Sequence, residues 1–358
     1  MDKKNKNLLN DYSKIECSFY KKTRVDINNG FRKGIFINKS ASIIIPVFNN
    51  FNFFKKCLIS LQGQYIPLGL KNYIELIIVD DGSENKNQLI KFIDRENRIF
   101  AVKLLSFYKN QGRSAARNLG ILHSKNEVLV LLDSDMIPEK YFIVNHLLRH
   151  QYCKKIATVG FRDNIDYNNN RISIVNLKNN LGKVKPNYKN DFRYKKFIPS
   201  SWSKVYADTD LKNFNKTHYL LRESNYFKFM NLSRVFGVWT LPSMFLASNT
   251  SVRRNDVIRV GGFDIDFKGW GMEDVYLAYK LIKKGINMIP VISAVAYHVN
   301  HGMRGIEEYK KNIERYETKI KKQYKKYKLN EWREEMNAKF SKKYDLLIEK
   351  KLSDYWIL

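Results

Sequence analysis

The sequence VLVLLDSD occupies positions 128–135, with five apolar residues followed directly by Asp133, Ser134 and Asp135. Three similar apolar runs precede it, at 42–47, 74–79 and 99–105. All four runs are rich in Ile, Val and Leu and are too short for core helices, which is typical of strands buried on both faces of a parallel sheet. The sequence therefore predicts a sheet in which the two aspartates stand at the carboxyl end of a strand.

Between these runs, apolar residues recur with the period of a helix. They predict two crossover helices, one carried by Phe54, Cys57, Leu58 and Leu61 and the other by Ala115, Ala116, Leu119 and Leu122. Strand and helix thus alternate over about 100 residues, which predicts an α/β fold with an open sheet flanked by helices. In such a fold the ligand lies beyond the carboxyl ends of the strands, where the polar residues fall in this chain.

The composition is that of a globular protein, because 44% of the 358 residues are hydrophobic and 28% are charged. No apolar run approaches the ~20 residues of a membrane span, and the N-terminus lacks the apolar core of a signal peptide. We therefore expect a cytoplasmic protein, with peripheral association at the inner face of the cell membrane as an open option. Cys17, Cys57 and Cys153 form no C-x-x-C or Cys/His cluster, which argues against a disulfide framework and a structural zinc site.

The net charge is +29, and the excess is spread along the chain. The base composition of the source genome and an anionic partner explain such a dispersed surplus equally well. Residues 149–235 are the most basic, with 18 basic and 6 acidic side chains, so an anionic acceptor stays open. Specific nucleic-acid binding is disfavoured, because the charge is not concentrated on one helix and no reader motif occurs.

Asp133 and Asp135 are the candidate metal ligands. Two adjacent acids repel each other unless a hard divalent cation neutralises them, although a D-x-D sequence also occurs by chance in turns. Their position at a strand end favours the metal. His298 follows the apolar run 289–296 and is a further candidate ligand for a borderline cation such as manganese, ahead of His301.

Two other strand ends carry candidate ligand-binding residues. A carboxylate at Asp80 or Asp81 can accept the N3 proton of a uracil or bind a ribose hydroxyl, although D-G-S is also ordinary turn chemistry. Gly112 and Arg113 open the second predicted crossover helix, where backbone N–H groups and the guanidinium favour negative ligands. Neither a dinucleotide-binding glycine motif nor a P-loop is present.

The sequence WGMED at 270–274 begins a further predicted helix, for which Gly285 supplies the end. Acids in a first turn usually complement the helix dipole, but the same field keeps a carboxylate ionised, as a general base acting on a hydroxyl requires. Two glycines flank Trp270, a pattern that permits close backbone approach to a ligand beside a stacking face.

Five motifs in this order resemble family 2 glycosyltransferases of the GT-A fold: SIIIPVFNN, IIVDDGS, NQGRSAARNLG, LLDSD and GGFDIDFKGWGMEDVYLAYKLIKKG. The resemblance runs from about Ser42 to His301. Its C-terminal part is similar to the galactosyltransferase-type motif of bacterial chondroitin polymerase modules and of β-1,4-galactosyltransferases. It implies a Rossmann-like open mixed sheet, a UDP-sugar donor and Mn²⁺ (or Mg²⁺).

The resemblance also implies roles for single residues. Asp274 matches the catalytic base of an inverting enzyme, and Glu273 would hold donor or acceptor hydroxyls. Asp135 and His298 would bind the metal, and Asp133 the metal or the ribose. The residues implied in nucleotide-sugar binding are Pro46, Phe48, Asn49, Asp81, Gly112, Arg113, Asp133, Asn249, Trp270 and Gly271.

Two departures from the family pattern add bulk beside the expected sugar site. Met272 stands where relatives commonly have a glycine, and Ser248-Asn249 replaces a G-N pair, so the identity of the donor sugar stays open. The acceptor also stays open: a glycan or a lipid-linked saccharide is expected, and Ser, Thr or Cys of a peptide is the alternative. A related retaining group has E-N in place of Glu273-Asp274, which favours inversion.

The predicted organisation has three parts. Residues 1–39 are an N-terminal arm, and residues 303–358 are a helical C-terminal extension. Between them lies a GT-A domain over 40–302, which divides into a nucleotide-sugar half at 40–150, a basic insertion at 151–235 and an acceptor and catalytic half at 236–302.

Overall fold

The computed structural model describes residues 13–25, 30–165, 242–299 and 305–355. These residues form one nine-stranded mixed sheet with helices packed on both faces. The strands are β1 (Ala41–Val47), β2 (Ile74–Asp80), β3 (Ala101–Phe107), β4 (Val128–Leu132), β5 (Met136–Pro138), β6 (Ile156–Ile165), β7 (Asn249–Arg253), β8 (Asn287–Val299) and β9 (Tyr344–Lys350). Their order across the sheet is β5-β8-β6-β7-β4-β1-β2-β3-β9.

The α-helices of the described residues are α1 (Ser13–Thr23), α2 (Phe51–Gln62), α3 (Lys86–Glu96), α4 (Arg113–His123), α5 (Phe142–Tyr152), α6 (Arg254–Arg259), α7 (Glu273–Lys283), α8 (Ile306–Ile320) and α9 (Leu329–Phe340). Short 3₁₀ helices occupy Leu68–Tyr73, Pro242–Met244 and Leu352–Tyr355. None of the helices in the described ranges is long and apolar enough to cross a membrane.

The four predicted strands are confirmed as β1 to β4. β1 pairs in parallel with β2 and β4, and β2 pairs in parallel with β3. Ile43 and Ile45 of β1 belong to one apolar core, whereas Ile44 belongs to the core on the opposite face. Both faces of the central strands are therefore covered, which explains their unbroken apolar sequences.

The two predicted crossover helices are confirmed as α2 and α4, and the predicted helix from Met272 is confirmed as α7. The sequence analysis missed α3 between β2 and β3. Only Leu89, Phe92 and Ile93 of this helix are buried, so its apolar stripe is too narrow to stand out against its polar residues.

The described part of the predicted N-terminal arm is not irregular, because it contains helix α1. Glu16 of α1 forms an ion pair with Arg149 of α5 at 3.0 Å, and both side chains are buried. The Arg149 guanidinium also lies 3.8 Å from the centroid of the Phe19 ring. Helix α1 is therefore packed against the main domain.

The C-terminal extension contains the predicted helices, α8 and α9, and also a strand that the sequence analysis missed. Strand β9 pairs antiparallel with β3 and completes one edge of the sheet. In the predicted basic insertion, 156–165 form β6, and 166–235 lie outside the described residues. The proposed domain boundaries remain predictions.

Candidate active site

Several of the predicted site residues, among them Asp81, Asp133 and Asp274, lie at the carboxyl ends of β2 and β4 and at the starts of α4 and α7. A buried arginine on α4 joins two of these element ends. Arg117 donates through Nη2 to Asp133 Oδ1 at 2.8 Å and through Nη1 to Glu273 Oε1 at 2.9 Å. Its guanidinium also lies 5.2 Å from the centroid of the Phe263 ring. One cation therefore ties the D-x-D motif to the E-D motif.

The sequence analysis did not select Arg117, although a signal was present. The residue lies within the amphipathic helix α4, and its side chain is only 2% exposed. A buried arginine requires acidic partners, and the otherwise uncharged run from Ser114 to Leu122 around Arg117 indicated a helix covered on every face. Nothing in the local sequence indicated which carboxylates they are.

Asp274, the predicted base, is half-buried in the first turn of α7. Its Oδ1 accepts the Val275 N–H at 2.8 Å, and its Oδ2 accepts the Ala247 N–H at 3.3 Å. Burial and, after it, the negative charge of Glu273 raise the pKa of Asp274 to about 7. A carboxylate with a pKa near neutrality is suited to take a proton from a hydroxyl at physiological pH.

Glu273 has the opposite electrostatic environment. Burial alone would raise its pKa, but the charges of Arg113 and Arg117 outweigh burial and hold the pKa below its ordinary value. Its side chain is 3% exposed. Glu273 Oε1 pairs with Arg117 Nη1 and lies 3.7 Å from Arg113 Nη1. The prediction that Glu273 holds sugar hydroxyls is therefore not supported, because the two arginines enclose it.

Asp81 organises the loop that leads into α4. Its Oδ1 accepts the Gln111 N–H at 2.7 Å, and its Oδ2 accepts the Gly112 N–H at 2.9 Å and the Asn110 amide at 3.1 Å. Burial raises the pKa of Asp81 to about 6 against the opposing effect of these backbone donors. Gly112 has a φ of +91°, which favours glycine at this turn. The predicted uracil contact of Asp81 stays a prediction.

Pro46 lies near the end of β1, and the loop that follows carries Phe48 and Asn49. Phe48 is 45% exposed, which leaves an aromatic face for a planar base. Asn49 ties this loop to the one after β2, because its N–H donates to Ser83 Oγ at 2.9 Å and its Oδ1 accepts the Glu84 N–H at 3.1 Å. A cleft of about 390 Å³ opens beside the two loops, lined in part by Asn49 and Ser83.

Asp135 and His298 lie together, as predicted for metal ligands. His298 Nε2 is 3.6 Å from Asp135 Oδ2, and His298 pairs across the sheet with Met136. An oxygen donor beside an imidazole nitrogen fits Mn²⁺ or another borderline divalent cation. Asp133 instead faces Arg117. Within the described ranges, no three His, Cys, Asp or Glu side chains are grouped to bind a metal.

Arg162 sets a condition on metal binding. Its Nη2 lies 2.9 Å from His298 Nδ1. Because a guanidinium only donates, Nδ1 must accept, and the proton of the neutral ring is then on Nε2. A neutral ring that binds a cation through Nε2 carries its proton on Nδ1, so Arg162 loses this hydrogen bond when neutral His298 binds metal.

Asn249 is not at the site. It is fully buried, and its Nδ2 donates to the carbonyls of Phe161 at 2.8 Å and Ala294 at 3.0 Å. Its Oδ1 lies 2.9 Å from Nε2 of His146. The structure therefore gives Asn249 a role in holding β6, β7 and β8 together and does not place it where it could touch a donor.

Trp270 and Gly271 lie against α8. The Trp270 ring stacks on the Tyr309 ring at a centroid distance of 4.7 Å. A Cβ on Gly271 would lie 2.3 Å from the Tyr309 ring, and one on Gly269 would lie 3.1 Å from Glu308. The close approach that the glycines permit is therefore to a helix of this chain, and not to a ligand as predicted.

An open mixed sheet with acids gathered at its strand ends is the architecture of an α/β enzyme. Residues 42–209 match the family model for glycosyl transferase family 2, and residues 240–328 match the model described as the N-terminal domain of galactosyltransferase. The chain is thus similar to glycosyltransferase family 2 over nearly half of its length and to a galactosyltransferase-type domain over a further quarter.

Among curated proteins, the chain is similar to two chondroitin synthases. It is 26% identical to that of Pasteurella multocida over 268 residues, which are 73% of this chain and 25% of the relative. It is 26% identical to that of Escherichia coli over 292 residues, which are 77% of this chain and 37% of the relative. The chain thus spans well under half the length of these relatives.

Among solved structures, the chain has a match to a mannosyltransferase from Pyrobaculum calidifontis in complex with GDP-Man and Mn²⁺. It has 14% sequence identity and a TM-score of 0.48, and the match covers 86% of this chain and 72% of that protein.

Proposed function

We propose that this chain transfers a sugar from a UDP-sugar to a saccharide acceptor with inversion at the anomeric carbon. The observation that carries the proposal is the environment of Asp274, a half-buried carboxylate with a pKa of about 7 beside acids that a single arginine holds in place. Asp274 accepts the proton of the acceptor hydroxyl, whose oxygen then bonds to the anomeric carbon. The bond from that carbon to the diphosphate breaks, and its electron pair leaves with the nucleotide.

The surroundings of Glu273 support a single displacement. A retaining enzyme working by double displacement needs a second carboxylate as nucleophile. Glu273 is the acid nearest in sequence to the proposed base, but its carboxylate is already paired with Arg117 and Arg113. Direct attack by the acceptor is therefore the better-supported route, and it turns an α-linked donor into a β-linked product.

Asp135 and His298 are the residues that would hold a divalent cation. When bound, the cation supplies positive charge that stabilises the departing diphosphate. Asp81 keeps the loop before α4 in place, and this loop presents Arg113 at the positive end of the helix, where negative groups are favoured. The exposed ring of Phe48 provides a face on which a uracil can stack.

The acceptor assignment rests on the relatives and on the charge of the chain. The names of the chondroitin synthase relatives favour a saccharide. The surplus of 18 basic over 6 acidic residues in 149–235 favours one that is anionic. Transfer to acidic oligosaccharides should therefore exceed transfer to neutral ones.

The test is a screen for nucleotide release from UDP-sugars and GDP-sugars, with Mn²⁺ and with chelator. We expect release only from UDP-sugars with metal present, and Asp135→Ala should abolish it. Glu317→Gln, an exposed change on α8, is the control and should behave as the unchanged chain does. Equal nucleotide release with chelator present would contradict the metal assignment. Release from GDP-sugars alone would contradict the donor assignment.

A further inference from the structure

Residues 264–272, named here the acceptor loop, precede α7 and carry Trp270. Asn312 of α8 is 1% exposed, and its Nδ2 donates to the carbonyls of Lys268 at 2.7 Å and Trp270 at 3.2 Å. The Asn312 oxygen in turn accepts a hydrogen bond from Arg315. One buried amide therefore fixes the loop backbone at two points, one on each side of Gly269.

Aromatic packing fixes the same part of the loop. Tyr309, one helical turn before Asn312, stacks on Trp270 with an angle of 29° between the rings. The same ring fills the space that a side chain on Gly271 would occupy, with 2.3 Å to a Cβ placed there. Because Gly271 has a φ of +94°, the loop turns at this point against the face of Tyr309.

The opposite end of α8 holds the beginning of the loop. Lys319 Nζ is 2.6 Å from Asp264 Oδ2 and 2.8 Å from Asp266 Oδ2. The Arg315 guanidinium lies 5.9 Å from the centroid of the Phe267 ring. Helix α8 thus contacts the acceptor loop along its whole length.

The acceptor loop continues without a break into the catalytic turn. Met272 adopts a left-handed conformation with a φ of +70°, and its carbonyl accepts the Tyr276 N–H at 2.9 Å as the first bond of α7. The position of the loop therefore sets where α7 begins and where Asp274 points. Burial and the charge of Asp274 both raise the pKa of Tyr309, which agrees with a ring close to that carboxylate.

We propose that Asn312 and Tyr309 of α8 are positioning residues for the acceptor side of the active site: they hold the acceptor loop so that Trp270 and Asp274 face the acceptor. This inference rests on the proposed function and assigns a catalytic purpose to part of the C-terminal extension. The donor side also has supports outside α8, namely the hydrogen bonds of Asp81 and the Arg117 contact to Asp133. Loss of the α8 contacts should therefore lower turnover and leave nucleotide binding unchanged.

The experiment compares Asn312→Asp, Tyr309→Ala and Tyr309→Phe with Lys311→Ala, an exposed change on the same helix. We expect kcat for UDP-sugar turnover to fall roughly 10- to 100-fold in the first two variants, because small displacements of a catalytic group have effects of that size. The Kd for UDP with Mn²⁺ should stay within about twofold of the control. Tyr309→Phe keeps the ring and should restore the rate.

Several outcomes would overturn this inference. Variants with kcat within about twofold of Lys311→Ala would do so, as would a parallel loss of UDP affinity, which marks a general structural role. If kcat falls as much in Tyr309→Phe as in Tyr309→Ala, ring packing is also contradicted as the cause. Thermal unfolding shows whether Asn312→Asp is folded. If it is not, the comparison of Tyr309→Ala with Tyr309→Phe provides the test.

Hydrogen exchange separates this inference from the proposed function. In Tyr309→Ala the amides of 264–272 should exchange faster than in Lys311→Ala, whereas those of α4 should not change. Unchanged exchange in the loop would overturn the positioning role even if the chain is an active transferase. A wild-type chain that releases UDP from no sugar nucleotide would overturn the proposed function, and the exchange result would still decide whether α8 holds the loop.

Discussion

The loop after β2 and the first turn of α7 each hold an enclosed carboxylate, but they use it differently. Asp81 accepts two backbone N–H groups and an amide, and its pKa is about 6. Asp274 accepts two N–H groups and has the negative Glu273 beside it, and its pKa is about 7. The hydrogen bonds of Asp81 organise the loop before α4, at the proposed nucleotide end of the site, whereas the pKa of Asp274 suits the proton exchange of the proposed base.

The largest effect on activity is expected from Asp274→Asn. An amide cannot accept the acceptor's proton, so turnover should fall about 10²- to 10⁴-fold, while the Kd for UDP stays within about twofold. Steady-state rates and calorimetric titration with UDP measure the two quantities. Retention of the full transfer rate would show that the base is another residue.

Next in size is Arg117→Met, which leaves Asp133 and Glu273 without their shared cation. Removing one partner of a buried ion pair costs about 3–5 kcal/mol, so the free energy of unfolding should drop by that amount in a denaturant titration. Arg95→Met is the matched control, because the Arg95 side chain is 69% exposed in its pair with Glu96. The control should lose less than about 1 kcal/mol.

The pH dependence tests the source of the Asp274 shift. Asp274 acts as a base only when deprotonated, so kcat/KM should fall as the pH decreases below its pKa of about 7 and level off above it. Glu273→Gln removes the neighbouring negative charge, so the midpoint should move to lower pH. Glu317→Gln should keep the original midpoint, and a Glu273→Gln profile identical to it would contradict the electrostatic explanation.

A smaller effect is expected at the nucleotide end. Asp81→Asn exchanges one acceptor oxygen for a donor that faces the N–H of Gln111 or Gly112. The loop before α4 should loosen, and UDP affinity should fall about tenfold, the equivalent of one lost hydrogen bond. Asp94→Asn, an exposed change, serves as the control in the same titration. UDP affinity equal to that of the control would show that Asp81 does not organise the nucleotide end.

The smallest effect concerns the metal side. Arg162→Met removes the donor to His298 Nδ1, so the ring can protonate there and present Nε2 to a cation. Affinity for Mn²⁺, measured by electron paramagnetic resonance of the free ion, should rise, by less than the ~10- to 100-fold change that loss of a supporting residue around a metal ligand causes. Weaker Mn²⁺ binding would show that Arg162 supports the ligand and does not compete for it.

Much of the donor half could be predicted from the sequence. The strands β1 to β4 are buried on both faces, so their apolar runs were unambiguous, and the acids that follow them had to meet at one edge of the sheet. The E-D pair was predictable because a helix start fixes where its first-turn side chains lie. His298 was named as a further ligand from its place after an apolar run and from the family resemblance, but the pairing of β5 with β8 that brings it beside Asp135 was not predicted.

The remaining features depend on which distant elements pack together. Asn249 and Gly271 carried family roles in the sequence analysis, but burial against β8 and packing against Tyr309 gave them structural ones. Strand β9 lies at the sheet edge with only intermediate burial, so its sequence YDLLIEK shows no buried run. Arg117 could not be matched to Asp133 and Glu273 because neither lies near it in sequence.

The shared guanidinium of Arg117 has a consequence for engineering. Modules of related transferases are natural candidates for chimeras that join one enzyme's donor half to another's acceptor half. In this chain Arg117 and Asp133 lie within residues 40–150 and Glu273 lies within residues 236–302, so a hybrid joined between them has matching charges only if both parents supply these residues. Swaps that ignore this pairing should yield insoluble protein before they yield altered specificity.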